Sequence, residues 1–225
     1  MRKNRAFRTL LLLAVAMSLT VIFTACGNTL RSGDLVFVCA DTTGMDAAIS
    51  DATADDNTVN YSHVGIIEVT ADSGAFVIDA TPRYGVSRRM LRQFRAENGT
   101  CHFYRLKGYN NEDEWVAKSK SCIGLPYDLY FLPDNGKYYC SELVADVCVD
   151  ADGNPIFKAQ PMNFRAADGT IPDYWVNLFD SLGVEVPQGI PGTNPNDLVR
   201  SGKLQRIDIG DRKEEIRKEE IGKRR

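Results

Sequence analysis

Apolar residues recur along the chain in two rhythms, and their alternation predicts most of its elements. Gly33-Asp34 followed by Leu35-Val36-Phe37-Val38 predicts a turn and then a buried strand. Met45, Ala48 and Ile49 sit at helical spacing, predicting a helix over 45–54 that the polar run Asp55-Asp56-Asn57 ends. Residues 61–69 and 75–80 read as two strands joined by the turn cluster Ala71-Asp72-Ser73-Gly74, a hairpin. A short strand from Val86, a short helix over 90–96 and an alternating strand over 101–106 follow. The segment 112–123 opens with acids and carries Trp115, Val116, Ser119 and Cys122 at helical spacing. After the breaker Gly124-Leu125-Pro126, the triplet Leu129-Tyr130-Phe131 reads as strand. From Tyr139 onward, Leu143, Val144, Val147 and Cys148 share one face of an amphipathic helix whose first turn holds Cys140, Ser141 and Glu142. Beyond Asp150 the chain is loop-rich, with a helix over 172–182 between Pro172 and Gly183, a short helix over 197–201 and a final strand over 204–209. The mixture predicts an α+β fold, an antiparallel sheet with packed helices.

The two ends depart from this pattern. Residues 1–25 carry Arg2, Lys3, Arg5 and Arg8, no acid, and an apolar run over 10–23. Basic residues, an apolar stretch and then small residues form the layout of an export signal. The sequence Thr24-Ala25-Cys26 resembles the lipobox of bacterial lipoproteins, with Phe23 where leucine is usual, and that resemblance implies lipidation at Cys26. The expected organisation is a signal peptide over 1–25, a linker over 26–32, one domain over 33–210 with an extension from about 151, and a charged tail over 211–225. The tail holds seven basic and five acidic residues and two isoleucines, the composition of a solvated segment.

Charge changes once the export segment is set apart. The whole chain has a formal charge of −3, and removing the four basic residues of the signal leaves −7. An acidic domain without a basic face excludes nucleic acid as the expected partner. The membrane, reached through the N-terminal lipid, is the expected anchor, and the cell envelope the expected location.

Cysteine and histidine usage narrows the chemistry further. With Cys26 assigned to lipid, Cys39, Cys101, Cys122, Cys140 and Cys148 remain, an odd number that leaves at least one thiol unpaired. There is no CxxC pair, and two histidines do not complete a zinc set at these spacings, so neither a metal nor another cofactor is expected. His102 reads as a packed or surface imidazole. His63 lies on a strand face next to Gly65, which leaves room for another group. Asp79 falls on the returning strand, opposite or diagonal to His63, where a carboxylate either orients the imidazole or serves as a structural strand-end acid. Cys140 opens a helix, where unpaired N–H groups and the helix dipole favour thiolate. The other four cysteines lie in apolar patterns and read as core. Thiolate, imidazole and acid are the parts of a cysteine nucleophile.

The motifs Gly33-Asp34-Leu35, His63-Val64-Gly65-Ile66, Val77-Ile78-Asp79-Ala80, Gly85-Val86 and Tyr139-Cys140-Ser141-Glu142-Leu143 together resemble the YaeF/YiiX family of permuted papain-like amidases, related to the NlpC-type cell-wall hydrolases. Tyr127-Asp128, Phe131-Leu132-Pro133-Asp134-Asn135 and Thr193-Asn194-Pro195-Asn196-Asp197 look like a lipoprotein branch of it. The resemblance implies a circularly permuted papain-like (NlpC-like) fold, with the nucleophile at Cys140, the base at His63 and the orienting acid at Asp79, where many relatives carry glutamate. Tyr61 and Tyr139 are candidates to line a substrate cleft. The implied activity is cleavage of an amide in a peptide or cell-wall-derived substrate. The alternatives are acyl transfer or ester and thioester hydrolysis by the same triad, and a non-catalytic binding lipoprotein on the same scaffold.

Overall fold

The computed structural model describes residues 29–55 and 59–209. The expected signal peptide, the lipidation site Cys26 and the charged tail over 211–225 lie outside the described residues. Strand β1 (Leu35–Cys39) is apolar at every position and buried along almost its whole length, as a strand covered on both faces should be. It runs in the middle of a six-stranded sheet. Its neighbours are β2 (Tyr61–Thr70) on one side and β5 (Cys101–Leu106) on the other, both antiparallel. Beyond β2 lie β3 (Gly74–Thr81) and β4 (Gly85–Met90), and beyond β5 lies β8 (Leu204–Ile207). Two residues on each side form a small separate ladder, β6 (Gln160–Pro161) with β7 (Pro191–Gly192).

Six helices complete the described residues: α1 (Gly44–Thr53), α2 (Leu91–Asn98), α3 (Glu112–Ser121), α4 (Cys140–Val147), α5 (Asp173–Leu182) and α6 (Pro195–Arg200). Helix α4 packs on β2 and β3, and α3 packs on α4. Helices α1 and α6 pack on β2, and α2 packs on β3 and β4. The main core joins Leu35, Phe37, Val64 and Ile66 of the sheet to Leu143, Val144 and Val147 of α4, with Trp115 sealing it from α3. Each such fully buried side chain contributes about 1.5–3 kcal/mol. A second, aromatic core joins α1 to α5 through Ala48, Phe131, Tyr139, Phe164, Trp175 and Phe179. The Trp175 indole donates to the Ala48 carbonyl at 3.2 Å, which fixes α5 against α1.

Residues 30–208 form one compact unit, so the extension beyond 151 belongs to the same body as the sheet. Strand β8 closes the β5 edge, and the Asn196 side chain of α6 accepts from the Tyr61 amide at 2.8 Å.

One expected element is absent. Leu129-Tyr130-Phe131 forms no strand, because the buried Asp128 carboxylate accepts from the amides of Tyr130 at 2.9 Å and Leu132 at 2.8 Å. Those bonds bend the chain, and Phe131 takes a positive φ of 53° to point its ring into the aromatic core. Local side-chain to backbone bonds here outcompete the β propensity of the triplet.

Candidate active site

The hairpin β2–β3 sets the first half of the site. Thr70 pairs with Gly74 and Ile66 with Ile78; continuing that register places Asp79 across from Gly65 and diagonal to His63. The diagonal works because Gly65 has no side chain. A Cβ there would lie 2.6 Å from Val77 Cγ1 and 3.1 Å from the Asp79 Cβ. Across this gap the His63 Nε2 and Asp79 Oδ2 are 2.8 Å apart. The imidazole also stacks on the Phe94 ring of α2, centroid to centroid 5.9 Å and tilted by 27°. One ring face and one ring nitrogen are therefore fixed, and Nδ1 is left for a second partner.

Helix α4 supplies that partner. Tyr139 is extended and its amide donates to the Glu142 carboxylate at 3.3 Å, so the helix starts at Cys140. The first-turn amides have no partner within the helix, and they surround the Cys140 sulfur with positive partial charge. Cys140 is 4% exposed and lies close enough to His63 to act on the charge of its ring. Burial alone pulls the His63 pKa down. The facing Cys140 charge, the hydrogen bonds from Asp79 and Cys140, and the Asp79 charge outweigh that effect and push it up to about 10. The ring is thus held as imidazolium at neutral pH.

Beside Cys140 lies a cavity of about 50 Å³ walled by Tyr127, Phe131, Tyr139, Met162 and Trp175, with Thr193 at its rim. Tyr139 is a wall residue: its ring is buried, and its hydroxyl accepts from the Thr193 amide at 3.0 Å. Tyr127 is the tyrosine that sequence reasoning missed. The segment that carries it is pinned to the residues just before Cys140, since the Asp128 amide donates to the Tyr138 carbonyl at 3.1 Å. Burial first, then the Cys140 charge, raise the Tyr127 pKa well above its ordinary value, so its hydroxyl stays protonated. Its signal was the Pro126-Tyr127-Asp128 run, but only the loop geometry brings it to the cysteine.

Other candidates fall elsewhere. Tyr61 is not brought to the cavity; it is 2% exposed, and its hydroxyl lies 2.7 Å from that of Tyr104 and 2.8 Å from the His102 Nδ1. A strand bulge between Val38 and Cys39 and the aromatic ring of Phe37 hold it in the core. His102 accordingly has a hydroxyl partner, which its sequence neighbours did not indicate. The described cysteines are all free thiols. Cys122 and Cys148 are buried as expected, whereas Cys39 and Cys101 are partly exposed toward one edge of the strands. Burial raises the pKa of Cys39, Cys101 and Cys148, so none of these three is poised as thiolate.

The sequence model of a family described as permuted papain-like amidases, YaeF/YiiX, C92 family, matches residues 29–208. Among solved structures, the metalloprotein yiiX from Escherichia coli O157:H7 aligns with a TM-score of 0.64 at 24% identity, covering 80% of this chain and 97% of that one. At that identity the likeness speaks for the fold, which is the same papain-like one. A comparison with curated proteins finds no match.

Proposed function

The chain belongs to the permuted papain-like amidases of the YaeF/YiiX family, and on that premise we propose that it is a cysteine hydrolase whose nucleophile, base and orienting acid are Cys140, His63 and Asp79. The observation that carries this is the single imidazole held between the Asp79 carboxylate at 2.8 Å and the Cys140 thiol at the start of α4. The thiolate attacks the amide carbon, forming a C–S bond. The first-turn amides of α4 stabilise the oxyanion. His63 gives its proton to the leaving nitrogen as the C–N bond breaks. Water, deprotonated by His63, then releases the acid from the thioester and regenerates the thiolate.

The cavity beside Cys140 bears on the substrate. Its volume of about 50 Å³ is small, roughly a third of the ~150 Å³ that accommodates a benzene ring. That supports a small apolar group next to the cleaved bond, as in a short peptide or a cell-wall-derived amide, over a long acyl chain. Purified protein assayed on short alanyl p-nitroanilides and on long-chain p-nitrophenyl esters separates these. Faster turnover of the anilides, abolished by Cys140→Ser, is expected. Ester-only turnover would favour the acyl alternative, and turnover untouched by Cys140→Ser would rule out this nucleophile.

The related Escherichia coli structure is described as a metalloprotein. The donor set here does not fit a metal: among the described residues no group of three His, Cys, Asp or Glu side chains is placed to hold one. At the site itself, Asp79 Oδ2 already meets the guanidinium of Arg89 at 2.8 Å, which would repel a cation. No step here passes through a metal.

The export layout of residues 1–25 and the lipobox-like Thr24-Ala25-Cys26 support tethering of the enzyme to the envelope by a lipid on Cys26. Labelled palmitate should enter the protein in an expressing bacterium and be lost in Cys26→Ser; equal labelling of that variant would refute the anchor.

A further inference from the structure

Asp79 raises a physical problem that its pairing with His63 does not solve. Its side chain is fully buried, Oδ1 has no hydrogen-bond partner, and the carboxylate bonds through Oδ2. An ion this deeply buried costs several kcal/mol unless another charge compensates it. His63 compensates only while it is protonated, and in the proposed reaction it gives that proton to the leaving amine. At that moment Asp79 would face a neutral ring and lose the compensating charge on that side.

We propose that Arg89 is a positioning residue of the active site, a permanent cation that compensates the buried Asp79 carboxylate and keeps it aimed at His63 throughout the cycle. The inference rests on the reading of Cys140, His63 and Asp79 as the reacting machinery. Three observations carry it. First, Arg89 Nη2 donates to the same Asp79 Oδ2 as His63 Nε2, and both separations are 2.8 Å. Guanidinium does not lose its charge in a protein, so this partner persists when the imidazole does not.

Second, the sheet places Arg89 for this contact. The β3–β4 register pairs Asp79 with Ser87 and Val77 with Arg89, making Arg89 the diagonal neighbour of Asp79 on the same face. The relation mirrors that of His63 on the other side, so Asp79 lies between a diagonal partner on each flanking strand.

Third, the guanidinium is itself immobilised. It is 13% exposed, its carbon lies 5.5 Å from the Phe94 ring centroid and 4.9 Å from that of Tyr84, and Nη1 donates to Glu97. Phe94 also stacks against His63, so one aromatic ring of α2 sets the positions of both partners of Asp79.

A purely structural clip between β4 and α2 is the competing explanation, and the pH profile of the thiol separates the two. Alkylation of Cys140 by iodoacetamide, followed by mass spectrometry of its peptide, needs no substrate. Arg89→Met keeps the length and loses the charge. It should move the acid limb of the Cys140 profile upward by about one pH unit, slowing labelling about 10-fold at pH values on that limb, with Arg89→Lys closer to wild type. In an Asp79→Asn background, adding Arg89→Met should change the limb no further, because Arg89 acts through Asp79. That paired variant also removes both charges together and serves if Arg89→Met alone does not fold. A folded Arg89→Met with the wild-type limb, or a further shift in the Asp79→Asn background, would overturn the assignment. If wild-type Cys140 itself labels no faster than Cys101, the nucleophile reading fails first; an activated wild type with an unmoved Arg89→Met sinks Arg89 alone.

Discussion

At the scale of single residues, the imidazole of His63 carries the account. It is caught between a carboxylate and a thiol, and the largest influence raising its pKa is the charge on Cys140. Replacing Cys140 with serine removes that anion, and removing an anion beside a cation disfavours the cation. The His63 pKa should therefore fall from about 10 in wild type by more than a unit in Cys140→Ser, read by two-dimensional NMR of the ring nitrogens. The chain has only two histidines, so assignment is direct. An unchanged His63 titration would mean that thiol and ring are not coupled. In stability terms the sign is the same. A histidine whose folded pKa lies above its unfolded value of about 6.5 adds stability that is complete below that pH. This stability is lost as pH rises toward 10. The three residues proposed to react stood out as candidates from their types and order, since cysteine at a helix start and histidine beside a glycine carry local signals. Arg89 carried none, and the Pro126-Tyr127-Asp128 run marked Tyr127 without showing where it goes, because an arginine on a strand and a tyrosine after a proline are ordinary until the fold places them.

At the scale of elements, the β2–β3 hairpin positions the site through its turn and its one glycine. A Cβ at Gly65 would push on Val77 Cγ1 and the Asp79 Cβ, both on β3. Gly65→Ala should thus widen the separation of His63 from Asp79 and lower activity at least 10-fold, more than the loss of stability explains. Equal activity at equal fold stability would show that the hairpin tolerates the methyl. This hairpin was readable because period-two alternation and a polar turn cluster are local. Helix α4 was readable because Leu143, Val144, Val147 and Cys148 repeat at helical spacing. The segment 126–138 was not readable as it stands. Its apolar triplet has strand propensity, and the outcome turned on a single buried carboxylate, Asp128, bonding two amides ahead of it.

At the scale of the molecule, the residues beyond 151 turn out to be part of the same compact body as the proposed site. Their strand β8 extends the sheet, their helix α5 builds the aromatic core, and Thr193 reaches the cavity beside Cys140. No periodicity announces such contacts, because they join positions far apart in sequence, as Trp175 and Ala48 show. The α+β class and the antiparallel sheet followed from the order of strands and helices, whereas the docking of the extension required the fold. The same whole-chain view sharpens the central test, since five described thiols share one protein and only Cys140 faces an imidazolium at a helix start. Cys39 and Cys101 are more exposed than Cys140, so access alone would label them first. Limiting iodoacetamide at pH 6, with every cysteine peptide quantified by mass spectrometry, sets activation against exposure. The account predicts that Cys140 is labelled at least 10-fold faster than Cys39 or Cys101, and that His63→Ala abolishes the difference. Labelling that follows exposure, with Cys140 no faster than its neighbours, would contradict it.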